Sequence, residues 1–261
     1  MPNVSEGADQ AALDEIATAF APARLLDMHR DADHGRAVLT LVSRQGELAA
    51  ALARGAAVAV SRIDISEHAG IHPHVGAIDV VPVVYLDPAQ RGAACAEALL
   101  AGHLIGDGLG VPVFLYGDLA AGRERAELRA GGIEGLTERI AGGVYRSDFG
   151  PHTPHPTAGA TLVAARPPLV AFNVDLAPGE SLHTARRIAA GLRESGGGPK
   201  GVRAIGLWLE QKQRAQVSCN VHDPFAVPLA GIVEFVRASA GVACAELVGL
   251  APRAAFDGFP D

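Results

Sequence analysis

The sequence has 261 residues, of which 49% are hydrophobic and 20% charged, and its formal net charge is −7. This length and apolar content suffice for one large domain or two small ones with a sizeable core. Its Lys and Arg residues form no cluster, and Lys200 and Lys212 are the only lysines, which argues against a nucleic-acid partner. The longest apolar runs, such as residues 49–60, fall short of the roughly 20 residues that span a bilayer, so no membrane segment is predicted.

The cellular compartment is predicted from the N-terminus and the cysteines. Residues 5–10 are polar, and no basic segment precedes an apolar core, so no secretory signal is predicted. Cys95, Cys219 and Cys244 lie far apart inside apolar patterns and lack CxxC spacing. These features predict reduced core thiols in a cytoplasmic protein, without a zinc–cysteine site.

In chain order, the first half alternates between helix and strand patterns. Helices are predicted over residues 8–20 and 47–63, with strands over 24–29, 37–43 and 80–86. Next come a helix from Pro88 to about Gly106, a strand over 111–116, and two helices over 123–130 and 133–141. The polar residues 30–35 join the first two of these strands, which predicts a hairpin with a charged tip.

The second half has the clearer pattern, βαββαβ. Strands are predicted over 169–176, 202–209, 215–221 and 242–248, and helices over 181–194 and 229–239. This order is typical of a ferredoxin-like unit, an antiparallel sheet with both helices on one face. The first half repeats much of it, with a shortened opening strand near Asn3. We therefore predict an α+β protein with two ferredoxin-like (βαββαβ-type) subdomains, 1–166 and 167–261, whose sheets face a central groove with the helices outside.

One loop concentrates groups that carry chemistry. Residues 68–82 have the sequence HAGIHPHVGAIDVVP, which places His68, His72, His74 and Asp79 on the connection between a helix and a buried strand. Each histidine taken alone fits a solvated turn shaped by Pro73. Several titratable groups so close together favour a functional site instead, because loops held between rigid elements often carry function.

A second irregular stretch covers residues 147–159, SDFGPHTPHPTAG. Its three prolines and two glycines exclude a regular helix or strand, which leaves an ordered loop or a linker between domains.

Several motifs carry a resemblance to one family. HPHVGAIDVVP, residues 72–82, resembles the HPxxGAxDxxP signature of the folate-dependent formiminotransferases, which move the formimino group of N-formiminoglutamate onto tetrahydrofolate. Further segments are similar to family motifs in the same order: NVSEG at 3–7, VPVFLYG at 111–117, DFGP at 148–151 with GAT at 159–161, LVAFN at 169–173, AQVSCN at 215–220 and LVGL at 247–250. The resemblance spans nearly the whole chain. It implies a homodimer with tetrahydrofolate as co-substrate.

The resemblance also implies roles for individual residues. His72 matches the family's general base, and Asp79 is expected to orient His72 or an arginine. On the substrate side it implies Arg36, His29 and His74, and for holding the folate it implies Gly150, Pro151, His152, Thr157 and Gly159. Arg36 is the best candidate to hold a substrate carboxylate, because a guanidinium binds a carboxylate through two parallel hydrogen bonds.

The chain departs from the family pattern at several of these positions. His29 replaces an acidic residue, Ile71 a glutamate, His74 an arginine, and Ala158 an aromatic residue. We expect Ile71 to make the surroundings of His72 less acidic and more apolar, which favours the neutral imidazole. The chain also ends sooner after LVGL than the family's domains do, so the resemblance predicts a closing strand beyond Asp261.

Two other functions remain open. A metal-dependent hydrolase is suggested by the run Asp27, His29, Asp31, Asp33 and His34 together with the later histidines. We predict no metal there, since these residues lack a recognised ligand spacing. A non-catalytic protein that binds reduced folate is suggested by the changes beside His72.

Overall fold

The computed structural model describes residues 1–68 and 70–259. The chain divides into two compact units, Met1–Pro167 and the residues from Pro168 onward. Both are α+β units, as the sequence predicts, with a six-stranded sheet in the first and a four-stranded sheet in the second. In the described ranges, no helix has both the length and the apolar character needed to cross a membrane.

The second unit has the predicted βαββαβ order. Its elements are β7 (Val170–Leu176), α6 (Leu182–Leu192), β8 (Val202–Leu209), β9 (Arg214–Val221), α7 (Leu229–Arg237) and β10 (Val242–Val248). The sheet is antiparallel with strand order β10-β7-β9-β8, which is the ferredoxin-like arrangement. Alternate residues of β7, such as Phe172 and Val174, share one core with Ile188 of α6 and Ile232 of α7. Both helices therefore cover the same face of the sheet.

The first unit contains the same arrangement and extends it. Its strands are β1 (Asn3–Val4), β2 (Arg24–Asp31), β3 (Arg36–Val42), β4 (Ile78–Val84), β5 (Val113–Leu115) and β6 (Thr161–Arg166). Its helices are α1 (Gln10–Ala19), α2 (Leu48–Arg62), α3 (Arg91–Leu109), α4 (Arg125–Arg129) and α5 (Gly132–Ala141). In the strand order β2-β3-β1-β4-β6-β5, the first four strands repeat the order of the second unit. The shortened opening strand is confirmed as β1.

Strand β6 is missing from the sequence-based prediction. It lies between β4 and β5 and pairs with both in parallel. Leu162 to Ala165 are buried, so both faces of the strand are covered. A strand buried on both faces shows no alternation of apolar and polar residues, and this one is short and rich in alanine.

The charged hairpin tip is buried, since Asp33 and His34 are only 8% and 7% exposed. Their carbonyl oxygens accept hydrogen bonds from the backbone N–H groups of Ile71 and His72. The tip therefore packs against the loop at residues 68–82, called the histidine loop below. Cys244 is not a core thiol but is exposed on β10, whereas Cys219 is buried and Cys95 half-buried.

Residues 147–160 form an ordered loop of the first unit, not a linker. The carbonyl oxygen of Thr157 accepts a hydrogen bond from Ile65, that of Ala158 accepts one from Ala77, and the N–H of Ala160 donates to Val75. Gly76 and Gly159 form an isolated β-bridge. The two irregular stretches of the sequence therefore lie side by side.

This close approach leads to a stability prediction for Gly76→Ala. A Cβ atom at Gly76 would clash with the carbonyl oxygen of Ala160, so the two loops would have to separate. We expect the free energy of unfolding to fall by about 1–3 kcal/mol, measured by urea unfolding followed by circular dichroism. Gly108→Ala in α3 is the matched control, since its added Cβ meets nothing within 4 Å, and it should leave stability unchanged or raise it. Equal urea midpoints for Gly76→Ala and the wild type would contradict the close packing.

Candidate active site

The histidine loop is held from two sides before it enters β4. At the end of β1, Ser5 donates through its hydroxyl to the carbonyl oxygen of Gly76 at 2.8 Å and through its N–H to that of Ala77 at 2.9 Å. On the other side, the backbone N–H of His72 donates to the carbonyl oxygen of His34 at 3.4 Å. The position of His72 is therefore set by the loop, by β1 and by the β2–β3 turn.

His72 is half-buried, and its ring meets three neighbours. Its Nδ1 lies 2.8 Å from Nη1 of Arg36 and 2.9 Å from the carbonyl oxygen of Pro73. The ring centroid of His34 is 5.8 Å away. No contact joins His72 directly to Asp79 among the residues described; Asp79 reaches it only through Arg36.

Asp79 is the buried anion of the site. Its side chain is 1% exposed, and it accepts from Nη1 of Arg36 at 3.2 Å, from Nη2 of Arg129 and from the backbone N–H of Val75 at 2.9 Å. Burial acts to raise the pKa of Asp79, but the charges of Arg129 and Arg36 and the Val75 hydrogen bond outweigh it, and the pKa lies below its ordinary value. Asp79 is therefore a carboxylate that holds two arginines in place.

Arg36 is anchored by three neighbouring strands of the sheet. It begins β3, and Asn3 of β1 accepts from its Nε at 3.0 Å and its Nη2 at 2.5 Å, while Asp79 of β4 accepts from Nη1. Burial and the nearby charge of Arg129 lower the pKa of Arg36 to about 9, which still leaves it cationic at neutral pH. Its predicted role in holding a substrate carboxylate stays a prediction, since most of its N–H groups already have partners within the protein.

The same positive surroundings act on His72. Burial lowers its pKa well below 6.5, and the charges of Arg36, Arg129 and His34 lower it further, whereas the Pro73 carbonyl opposes them. The imidazole is consequently neutral at pH 7. The predicted contribution of Ile71, whose side chain is 36% exposed, stays a prediction.

Further arginines extend the positive region away from His72. Burial and the charge of Arg129 lower the pKa of Arg125, and burial lowers the pKa of Arg166 to about 10. Tyr116 interacts with both arginines. Arg36, Arg125, Arg129 and Arg166 are linked by electrostatic interactions and are together called the arginine cluster below; of these, Arg36 and Arg129 pair directly with the buried carboxylate of Asp79.

The two histidines predicted on the substrate side, His74 and His29, have neighbours other than the ring of His72. The ring of His74 packs on that of His68 at 4.0 Å between centroids, and its Nδ1 lies 3.3 Å from the carbonyl oxygen of His72. His68 has a pKa below 6.5 because of burial and the charge of His74. His29 lies on β2, opposite Val38 of β3, and is half-buried.

The residues predicted to hold folate fall into two groups. Gly159 lies against the histidine loop through the Gly76 bridge, and Thr157 accepts from Ile65 in the turn just before that loop. Gly150 lies instead beside the end of α3, where its N–H donates to Asp107 at 3.0 Å.

His152 and Pro151 belong to this second group and are joined through Ser147. Ser147 Oγ lies 2.6 Å from Nδ1 of His152 and donates to the carbonyl oxygen of Pro151 at 2.8 Å, and Arg146 donates to Nε2 of His152 at 2.9 Å. Because Nε2 accepts from Arg146, Nδ1 carries the ring proton and donates to Ser147. The loop is thus rigid at this end as well.

Sequence reasoning missed Arg129 and the role of Asn3. Arg129 is separated from Asp79 by the whole of α3 and lies in the short helix α4, where an arginine ordinarily faces solvent. Only its burial, with 9% of the side chain exposed, sets it apart. Asn3 belongs to the NVSEG motif at residues 3–7, and the resemblance of that motif to the family is the signal that could have indicated a role for Asn3.

The His/Asp run on the hairpin does not form a metal site in this structure. Within residues 1–68 and 70–259, no three His, Cys, Asp or Glu side chains converge in a way that could hold a metal ion. The hydrolase interpretation therefore gains no support from the geometry.

Comparison with known proteins decides the family. The model of the formiminotransferase domain, N-terminal subdomain, matches residues 1–166, and that of the formiminotransferase domain matches residues 171–257. The chain belongs to the formiminotransferase family. The chain is 37% identical to the glutamate formimidoyltransferase of Streptococcus pyogenes, with 98% of this chain and 89% of that protein covered. The corresponding enzyme of Thermoplasma acidophilum is 33% identical, over 98% of this chain and 88% of its own length.

A longer relative is the formimidoyltransferase-cyclodeaminase of Sus scrofa. It is 38% identical over 97% of this chain, but the matched region makes up 49% of that protein. The formiminotransferase described here therefore corresponds to about half of the longer protein. Taken together, the comparisons identify this formiminotransferase as an enzyme that transfers formimidoyl groups.

Proposed function

We propose that this protein transfers the formimino group of N-formimino-L-glutamate, or of a related donor, to N5 of tetrahydrofolate. One observation carries the proposal: in a chain of this family, a neutral histidine lies beside a cluster of arginines. The neutral imidazole suits the proton transfers of the reaction, and the arginines suit its anionic substrates.

The reaction needs one proton to move between two nitrogens. Tetrahydrofolate supplies N5 as the nucleophile, whose lone pair forms the new bond to the formimino carbon. His72 takes the proton that N5 releases and delivers it to the departing glutamate nitrogen as the old carbon–nitrogen bond breaks. The histidine ends in its starting state and no further reactant is consumed. Asp79 acts as a positioning residue, through Arg36.

The surplus of positive charge supports an anionic donor. One buried carboxylate, Asp79, pairs with two guanidinium groups, those of Arg36 and Arg129, and burial together with the charge of Arg129 lowers the pKa values of Arg36 and Arg125. Removing charges from water is costly unless opposite charges compensate them. A donor with two carboxylates, such as formiminoglutamate, would supply that compensation next to His72.

The residues present also fit a polar ring system. His68 Nε2 is buried and has no hydrogen-bond partner among the residues described. Such atoms are costly unless a ligand or water completes them. The rigid loop at 147–160 adds backbone groups that need little further ordering on binding. A reduced folate held by Gly150, Pro151, His152, Thr157 and Gly159 would use both features.

The folate assignment is tested by titration with 5-formyltetrahydrofolate. We expect heat of binding and a rise in melting temperature, since a ligand at about 100 times its Kd stabilises the folded state by about 2.7 kcal/mol. Glutarate at the same concentration is the control for carboxylate binding alone. Neither heat nor a melting shift at millimolar 5-formyltetrahydrofolate would overturn the assignment.

Turnover is tested by incubating the protein with N-formimino-L-glutamate and tetrahydrofolate and measuring the folate product. Binding of folate without any turnover would favour the non-catalytic alternative. Turnover only with another formimino compound would change the donor and leave the folate assignment intact. The homodimer and the cytoplasmic location stay predictions.

A further inference from the structure

Nδ1 of His72 has one neighbour that can only donate a hydrogen bond and one that can only accept. Nη1 of Arg36, at 2.8 Å, can only donate a hydrogen bond, whereas the carbonyl oxygen of Pro73, at 2.9 Å, can only accept one. In the neutral ring, Nδ1 carries either a proton or a lone pair. Only one of these two contacts can therefore be a hydrogen bond at any moment.

The contact with Arg36 is the stronger of the two. A charged donor forms a hydrogen bond roughly twice as strong as a neutral one. In the ligand-free protein Arg36 is held at this position, because Asn3 accepts from its Nε and Nη2 and Asp79 from its Nη1. A protonated Nδ1 would place two N–H groups against each other at 2.8 Å.

We propose that Arg36 is a positioning residue that holds His72 in the tautomer with its proton on Nε2. The inference rests on the proposed function, in which His72 is the group that moves the proton. It adds a condition to that function, because an Nε2 that already carries a proton has no lone pair with which to accept another.

The Pro73 carbonyl provides the hydrogen-bond acceptor for the other tautomer, in which Nε2 of His72 can act as a base. When the guanidinium leaves Nδ1, the ring proton moves to Nδ1, through solvent, and donates to the Pro73 oxygen 2.9 Å away. Nε2 then presents its lone pair to the substrate. A substrate carboxylate that draws Arg36 towards itself would produce this change, so that binding of the anionic substrate creates the base.

The charged and titratable groups around His72 define what removing Arg36 should do. Arg36 faces it from β3, Arg129 from α4 and His34 from the β2–β3 turn, while Asp79 of β4 pairs with both arginines. Burial and all three of the former groups lower the pKa of His72. Without Arg36 the pKa should rise, and burial, Arg129 and His34 should keep it from rising fully.

The test reads the ring nitrogens of His72 by ¹⁵N NMR in the ligand-free protein. In the wild type we expect an unprotonated Nδ1 and a protonated Nε2. In Arg36→Met the proton should move to Nδ1 and the titration midpoint should rise, and Arg36→Lys should restore at least part of the wild-type pattern. Arg30→Met is the matched control, because Arg30 donates to the carbonyl oxygen of Gly7 at 3.4 Å and does not contact His72.

Two results would overturn the inference: a protonated Nδ1 in the wild type, or an unchanged tautomer and midpoint in Arg36→Met. The wild-type spectrum decides even if Arg36→Met does not fold. No substrate enters the measurement, so its outcome is independent of turnover. An active enzyme with the wrong tautomer refutes this inference alone, and an inactive one with the expected tautomer refutes the proposed function alone.

Discussion

His72→Ala is expected to lower the rate of formimino transfer by about 10²- to 10⁴-fold, the usual cost of removing a positioned general base. Among the described residues, His72 is the histidine whose ring contacts Arg36, and it is neutral at pH 7 because burial and the positive charges around it disfavour the imidazolium. The rate is measured with formiminoglutamate and tetrahydrofolate as substrates.

The control for this prediction is His74→Ala. The ring of His74 packs on His68 at 4.0 Å, so its loss should leave most of the activity in place. All three proteins should melt alike. If His72→Ala retains wild-type turnover while His74→Ala loses it, the wrong histidine has been assigned; if all three are inactive, the donor assignment fails first.

The pH dependence of kcat/KM follows from the lowered pKa of His72. A base acts in its unprotonated form, so the rate falls only when the pH drops to its pKa. Because the pKa of His72 is well below 6.5, kcat/KM should stay level as the pH falls to 6.5 and decrease only at lower pH.

Asp79→Asn is expected to lower the free energy of unfolding by about 3–5 kcal/mol, since it breaks a buried ion pair by removing one partner. The carboxylate is 1% exposed, and its loss leaves Arg36 and Arg129 buried without their counter-charge. The amide keeps the shape of the side chain, so the change in charge dominates. Urea unfolding followed by circular dichroism gives the value.

Asp118→Asn provides the matched control. Asp118 pairs with Arg91 at 3.0 Å, but their side chains are 45% and 55% exposed, and such surface pairs contribute about 0–1 kcal/mol. If both variants lost the same stability, Asp79 would not hold the buried arginines.

The pH dependence of stability provides a second test of Asp79. Its pKa is lower in the folded protein than in the unfolded chain, where it is about 3.9. The stabilisation is therefore complete above about pH 3.9 and is lost as the pH falls through the lower folded value. Asp79→Asn should remove this part of the acid dependence.

The sequence alone determined the secondary-structure elements of the second unit and singled out His72 as the candidate catalytic residue. The six elements of the second unit follow from periodicities of two and 3.6 residues, which depend only on near neighbours. The motif at 72–82 places His72 beside a buried strand, and Pro73 and Gly76 shape the loop locally. Such features are readable because neighbours along the chain produce them.

The tertiary structure decided which charges surround His72. Nothing near Asp79 in the chain indicates Arg129, and the charges of Arg36 and Arg129, on other elements, lower the pKa of His72 in addition to burial. The same holds for the buried hairpin tip and for β6, which lies between strands that the sequence does predict. In each case the physical reason is that burial and ion pairing depend on which distant segments pack together. The local periodicity of the sequence does not determine this packing.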